Sequence, residues 1–438
     1  MRMRTLVLLA VLSLPAGSDA QSASPPNPLS PQVDRLATEL DPLVVGWRRD
    51  FHEHPELGNR EVRTAKVIAD ELRKLGFEVT TGVAHTGVVG VLRGGKPGPV
   101  VALRSDMDAL PVTEQVDLPF KSTAKAEWMG QQVGVMHACG HDNHMAMLLG
   151  AAAVLSKMKA DLPGTVKVIF QPAEEGAPAG EQGGAEMMVK EGVLDNPKVD
   201  AVFGLHVFPF PAGQIVYRSG PLMASADSFL ITLKGRQTHG AVPWGGVDPI
   251  VLGSQVVLAL QTIISRTVNI TEAPAVVTVG RFTGGNRSNI VPDQVELEGT
   301  VRAFDENVRK DIQQRIRDIA TKYAEAAGGS ATVTFSLGYP VTRNDPALTE
   351  LMLPTLRRSA GADNVRVGPL TGTAEDFSYF QQKVPGLFFF LGVTPRGQDH
   401  TKAAQNHSPL FFADESALPV GVRTLANLAI DYLTGANK

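Results

Sequence analysis

Residues 136–144 read Met136-His137-Ala138-Cys139-Gly140-His141-Asp142-Asn143-His144, and an apolar run from Met145 to Leu155 follows at once. The stretch holds three of the ten histidines and the only cysteine in 438 residues. Six of its nine side chains can bind a metal or orient a group that does. Such a stretch ahead of an apolar run predicts a metal-binding loop at the mouth of a helix, from about Asn143 to Lys157.

Outward from that loop, strands and helices alternate. Val33 to Phe51 and Glu61 to Leu75 have helical spacing, the second closed by Gly76. Phe77 to Thr81, Gly87 to Leu92 and Val100 to Arg104 are short β-branched runs between Gly and Pro, which predicts strands. Downstream come a strand (Thr165 to Phe170), a helix (Ala185 to Lys190) and a strand (Ala201 to His206). This order predicts an α/β fold, a three-layer domain on a mostly parallel sheet. Functional residues then gather at the carboxyl ends of strands. Asp106 and Asp108 follow one such end, Glu174 and Glu175 another, and His206 closes a third.

From about Ser225 the order becomes βαββαβ, running from Ser228 to Leu337, which is that of a ferredoxin-like α+β unit. Helices at Ala347 to Ser359, Phe377 to Gln382 and Glu415 to Leu433, with a buried strand at Leu387 to Leu391, resume the α/β pattern. The expected organisation is therefore a catalytic domain in two parts, 33–224 and 338–438, with an inserted domain at 225–337.

The N-terminus reads as a secretory signal over 1–20. Arg2 and Arg4 are its charged region, Leu6 to Leu14 its apolar core, and Ser18-Asp19-Ala20 its cleavage site. Residues 21–32, rich in Pro, Ser and Asn, read as a disordered lead-in. Export to the periplasm or the medium is expected, with no membrane partner. A net charge of −4 and scattered basic residues argue against a nucleic-acid partner. A lone cysteine in an exported chain makes no internal disulfide, so its thiol needs another purpose.

A hydrolytic metal site needs nitrogen, oxygen or sulfur ligands, an open position for water and a general base. Cys139 and His141, two residues apart, can face one metal. Thiolate favours zinc, while imidazole and carboxylate also admit manganese. In Gln171-Pro172-Ala173-Glu174-Glu175-Gly176, one carboxylate can bind metal while its neighbour serves as base. By themselves the Glu pair reads as a solvated acidic loop, His206 as a satisfied core histidine and His407 as part of a surface turn. Asp106 and Asp108, in Ser105-Asp106-Met107-Asp108-Ala109-Leu110-Pro111, can orient ligand imidazoles from behind. Phe388-Phe389-Phe390 reads as core rather than as an aromatic pocket.

These motifs, in this order, resemble the aminoacylase, hippurate hydrolase and glutamate carboxypeptidase family of dinuclear metallohydrolases. The subgroup most resembled hydrolyses N-acyl amino acids, auxin conjugates included. The likeness runs from Phe51-His52-Glu53-His54-Pro55-Glu56-Leu57 to His407-Ser408-Pro409. It implies two divalent ions, zinc or manganese, held by Cys139, His141, Glu175, His206 and His407, with Glu174 as general acid/base. It also makes the inserted unit a dimerisation or lid domain, in a homodimer or higher homo-oligomer. Within it, Lys234-Gly235-Arg236-Gln237-Thr238-His239-Gly240-Ala241 matches a motif whose histidine reaches a neighbouring active site. Asn289 and Arg302 match residues that hold the substrate carboxylate. The chain departs from the family at Asn143-His144-Met145, where Gly-His-Thr is common, and over Gly397 to Gln405.

The implied reaction is hydrolysis of the amide of an N-acyl amino acid to an amino acid and a carboxylic acid. A carboxypeptidase or dipeptidase acting on short peptides is the alternative. A non-catalytic metal binder would not need a base beside its ligand, and the glycine fingerprint of a dinucleotide-binding oxidoreductase is missing.

Overall fold

The computed structural model describes residues 27–437, so the expected signal peptide lies outside the described residues. Helices α1 (Ser30–Glu53) and α2 (Val62–Lys74) precede strands β1 (Glu78–Val83), β2 (Gly87–Arg93) and β3 (Lys96–Asp106). A hairpin of β4 (Lys125–Trp128) and β5 (Gln131–Gly134) leads into α3 (His141–Lys157). Next come β6 (Pro163–Gln171), α4 (Gly184–Lys190), β7 (Ala201–Pro211), β8 (Ile215–Tyr217) and β9 (Gly220–Met223). The inserted unit comprises β10 (Asp227–Lys234), β11 (Thr238–His239), α5 (Pro249–Thr262), β12 (Ala275–Gly284), β13 (Ile290–Val291), β14 (Gln294–Ala303), α6 (Glu306–Ala326) and β15 (Ser330–Leu337). The chain closes with β16 (Thr342–Asn344), α7 (Pro346–Ala360), β17 (Val365–Val367), α8 (Ser378–Gln381), β18 (Gly386–Thr394) and α9 (Leu418–Thr434).

The large sheet has the order β1-β2-β6-β3-β7-β18-β8-β17. Its centre, β6-β3-β7-β18, is parallel, and antiparallel pairs flank it. Alternate residues serve opposite faces. Val101, Leu103, Phe203, Leu205, Leu387 and Phe389 pack against α1, α3 and α9. Ala102, Val202, Phe388 and Phe390 pack against α4 and α8. Every residue of β18 is buried, so the three phenylalanines are core, as expected. Helix α3 is buried from His141 to Leu155 because the sheet, α1 and α9 surround it, which is why its sequence is apolar all round.

The start of α1 differs from expectation. The helix begins at Ser30, inside the lead-in assigned to 21–32. Pro31 in its first turn gives up an N–H that would have no helical partner anyway. Asn27 Nδ2 donates to Thr434 Oγ1 at 2.7 Å, tying this end to α9.

In the inserted unit an antiparallel sheet, β12-β14-β10-β15, carries α5 and α6 on one face. Leu252, Val256 and Leu260 of α5 and Ile312 and Ile316 of α6 bury against Phe229, Ile231, Leu297 and Val301. The stretch Pro249–Thr267 is long and apolar enough to cross a membrane on length and composition alone. Its inner face is accounted for by this packing, while Val251 and Leu258 stay 55% and 71% exposed.

Candidate metal centre

The carboxyl ends of β3, β6 and β7 converge on the first residue of α3. His141 begins that helix, two residues before the expected start. Gly140 ahead of it has φ +91, and a Cβ there would lie 2.3 Å from Val207 Cγ2 on β7. Only glycine fits both constraints, and it brings Cys139 and His141 against His206.

The five residues implied as ligands lie together. Cys139 Sγ is 3.3 Å from His206 Nε2 and 3.2 Å from His407 Nε2. His407 Nε2 is also 2.9 Å from Glu175 Oε1, and His141 Nε2 is 4.0 Å from that oxygen. Glu174 Oε2 likewise lies 4.0 Å from His141 Nε2. Interlocking groups of candidate donors result: Cys139-His141-His206 and Cys139-Glu175-His407 share the thiol, and His141-Glu174-Glu175 adds the second carboxylate.

His407 arrives from far along the chain and is pinned firmly. Its N–H donates to Ala138 O at 2.8 Å, and Asn406 Nδ2 donates to the carbonyls of Cys139 and Val207. Its φ of +70 is costly for a residue with a side chain and marks a position held by its surroundings.

Hydrogen bonds fix which nitrogen of each imidazole faces the cluster. His206 Nδ1 donates to Val207 O at 2.8 Å and His141 Nδ1 to Asp108 O at 2.8 Å, so both turn Nε2 inward. Asp108 Oδ2 accepts from the Glu175 N–H at 3.0 Å. Asp106 does something other than expected. Its Oδ1 takes His144 Nδ1 at 2.6 Å, and His144 Nε2 accepts from the Val207 N–H at 2.8 Å. His144 thus has both nitrogens occupied, and Asp106 supports β7 through it rather than gripping a cluster imidazole.

Behind the cluster lies a buried charge network centred on Arg104, a residue to which the sequence motifs assign no role. Arg104 pairs with Asp106 at 2.7 Å, Asp376 at 2.8 Å and Glu375 at 3.0 Å, and donates to Gln171 Oε1 at 2.8 Å. Its only signal was a charged residue in an apolar strand, just before the aspartate motif. Burial, then Glu375, Glu175 and Asp376, hold Glu174 well above the usual carboxylate range. Burial with Glu175 and Glu174 pushes the Cys139 thiol far up. Burial opposes a charge on His141, yet Asp106, Asp108 and Glu175 push it up to about 10. Acid groups outnumber cations here, and a proton on His141 partly offsets them.

The remaining predicted residues divide. Arg302 lines a cavity of about 350 Å³ together with Cys139, Glu174, Glu175, His206 and His407. Phe208, Met223, Tyr339 and Glu375 also line it. His239 and Asn289 do not. They sit side by side on the exposed β11–β13 ribbon, where Gly240 N donates to Asn289 O at 2.8 Å. His52 is structural, bridging Asp142 at 2.8 Å and Glu114 at 3.0 Å. His54 bonds Asp50 O and His85 bonds Gln182 O, both at the surface, and His400 lies in a short 3-10 turn. His137 is buried without a hydrogen-bond partner, and burial holds it down to about 3.

The donor set fits divalent cations. His141 Nε2 is buried with no hydrogen-bond partner, and Glu175 Oε1 makes no hydrogen bond despite its proximity to His407. A cation would use both atoms, displace the proton on His141 and relieve the crowded acids. Residues 102–431 match the model of peptidase family M20/M25/M40. The chain belongs to this family. Thermostable carboxypeptidase 2 of Saccharolobus solfataricus is 42% identical to the M20 chain over 397 residues, 90% of this chain and 96% of that protein. The IAA-amino acid hydrolase ILR1-like 4 of Arabidopsis thaliana is 41% identical over 396 residues, 89% of this chain and 86% of that protein. Among solved structures, the Bacillus subtilis YXEP protein, a dinuclear metal binding peptidase from the M20 family, matches with a TM-score of 0.75 at 35% identity, covering 91% of this chain and 99% of that one. The M20 chain is a metal-dependent hydrolase on a mixed α/β fold.

Proposed function

We propose that this enzyme hydrolyses the amide bond of N-acyl amino acids, releasing the amino acid and a carboxylic acid. The observation that carries the reading is one cavity holding the donor cluster, a second carboxylate (Glu174) beside it, and Arg302. Cys139, His141, Glu175, His206 and His407 would hold two divalent ions, zinc or manganese, which when bound would supply a water of lowered pKa and a Lewis acid for the carbonyl. Glu174 takes the proton from the attacking water and returns it to the departing amine. Arg302 pairs with the substrate carboxylate through two parallel N–H groups.

His239 and Asn289 act from a second copy of the chain, His239 on the scissile carbonyl and Asn289 on the carboxylate. Supporting this, both are exposed on the inserted unit, whose edge strand β12 and helix α5 leave Val276, Val251 and Leu258 exposed for a symmetric contact. Export, through the signal expected over 1–20, belongs to the same proposal, and cell fractionation checks it.

Carboxypeptidase or dipeptidase action is the second reading, because Arg302 suits a peptide C-terminus equally well. Purified protein loaded with zinc or with manganese, assayed for amino acid release from N-acyl amino acids, dipeptides and longer peptides, separates the two. Preference for N-acyl amino acids supports the first reading, and turnover of peptides alone supports the second.

A further inference from the structure

Besides the residues already placed, one group in the cavity wall touches the proposed base directly. Tyr339 follows β15 at the point where the chain leaves the inserted unit and re-enters the catalytic one. Its hydroxyl donates to the backbone carbonyl of Glu174. The turn it holds is not relaxed, since Ala173 has φ +49.

The crossover that carries Tyr339 is itself held by the inserted unit. Asp227 Oδ1, on β10, accepts from the Gly338 N–H at 3.2 Å. Arg309, on α6, grips Asp227 through Nε at 2.8 Å and Nη2 at 2.5 Å, and Nη2 also donates to Gly338 O at 3.1 Å. Gln313 donates to the same aspartate at 2.8 Å. Glu306 Oε1 accepts from the Val341 N–H at 2.8 Å, on the far side of Tyr339. The two crossovers bond to each other, with Ala226 N donating to Tyr339 O at 2.9 Å. They run so close that a Cβ on Gly338 would lie 2.2 Å from Ala226 O.

We propose that Tyr339 is a positioning residue for the hydrolysis, coupling the inserted unit to the base through the chain Arg309–Asp227–Gly338–Tyr339–Glu174. The inference rests on Glu174 being the base. The ion pair fixes the crossover, the crossover fixes the phenol, and the phenol fixes the peptide that bears Glu174. Proton transfer is sensitive to displacements well under 1 Å, so a group that sets this peptide sets the rate without touching substrate. Displacement of the inserted unit, by substrate or by a second copy, is thereby felt at the base.

Tyr339→Phe is the test, because it keeps the ring and the cavity wall and removes only the hydroxyl. It is compared with Arg309→Lys, which keeps the charge and loses the fork, with the double variant, and with Glu174→Gln. The measurements are kcat, KM, bound metal and Tm, on the best substrate of the wild type. Expected is a kcat loss of about tenfold for Tyr339→Phe with KM, metal content and Tm unchanged. Arg309→Lys is expected to lower kcat as well, and the double variant to fall no further than Tyr339→Phe alone. Wild-type kcat in Tyr339→Phe, or losses that simply multiply in the double variant, overturns the coupling. If Glu174→Gln retains activity, it is the assignment of the base that fails; if Glu174→Gln is inactive and Tyr339→Phe unaffected, only the coupling fails.

Discussion

Cys139 Sγ lies between two imidazoles, 3.3 Å from His206 Nε2 and 3.2 Å from His407 Nε2. A neutral buried thiol gains little from such neighbours, whereas a thiolate that binds a cation would have both as fellow ligands. Burial and the surrounding carboxylates push this thiol well up, so deprotonation and metal binding go together. Cys139→Ser is expected to weaken metal binding more than about 100-fold, beyond what loss of a supporting hydrogen bond does at a metal site. Metal content after dialysis against a chelator series reads this directly, and unchanged affinity removes the thiolate from the centre.

His52 provides a test of the scaffold behind the centre. It joins α1 to Asp142 on α3 and to Glu114 on the loop after β3. Burial opposes its charged form, as does Arg48, but Asp142 and Glu114 outweigh them and its pKa is raised above 6.5. A histidine with a raised folded pKa contributes stability that is fully present below its unfolded pKa and lost as pH rises through the folded one. His52→Gln is therefore expected to cost about 2 kcal/mol at about pH 6. That gap narrows as pH rises through the raised pKa. Urea unfolding of both proteins across this range checks it, and a gap that widens with pH contradicts it.

The proposed sharing of an active site between two copies has its own signature. Glu174→Gln and His239→Ala, each inactive alone, are mixed after dissociation and allowed to reassociate. In a symmetric dimer half of the molecules are mixed, and each mixed dimer has one intact site, giving about a quarter of wild-type activity. No recovery, in a mixture shown by native mass spectrometry to contain mixed dimers, places His239 outside any neighbouring site.

How far the sequence could be read depended on where each signal lay. Cys139, His141 and the Glu174-Glu175 pair stand in compact motifs at the ends of apolar runs, so both their chemistry and their place in the sheet were visible. Local reading alone left His206 and His407 as a core histidine and a turn residue. Only the order of motifs along the whole chain joined them to the site. The true partner of Asp106 could not be seen. His141 and His144 both follow the same loop, and which of them turns toward Asp106 depends on how α3 sits over β7. Arg104 was hidden because a buried arginine looks like a strand error until its three carboxylates, two of them some 270 residues away, are brought together. Tyr339 had no local signal at all, since its role comes from where the inserted unit ends. Helix α1 began earlier than expected because Asn27 finds its partner on α9, at the other end of the chain.

Glu174 is proposed as the base beside a two-metal centre, holding no metal itself. The most direct measurement is turnover of metal-loaded Glu174→Gln, with bound metal counted in the same sample. Two ions per chain, as in the wild type, and turnover reduced roughly a thousandfold are expected. Turnover near that of the wild type with the ions retained would contradict it.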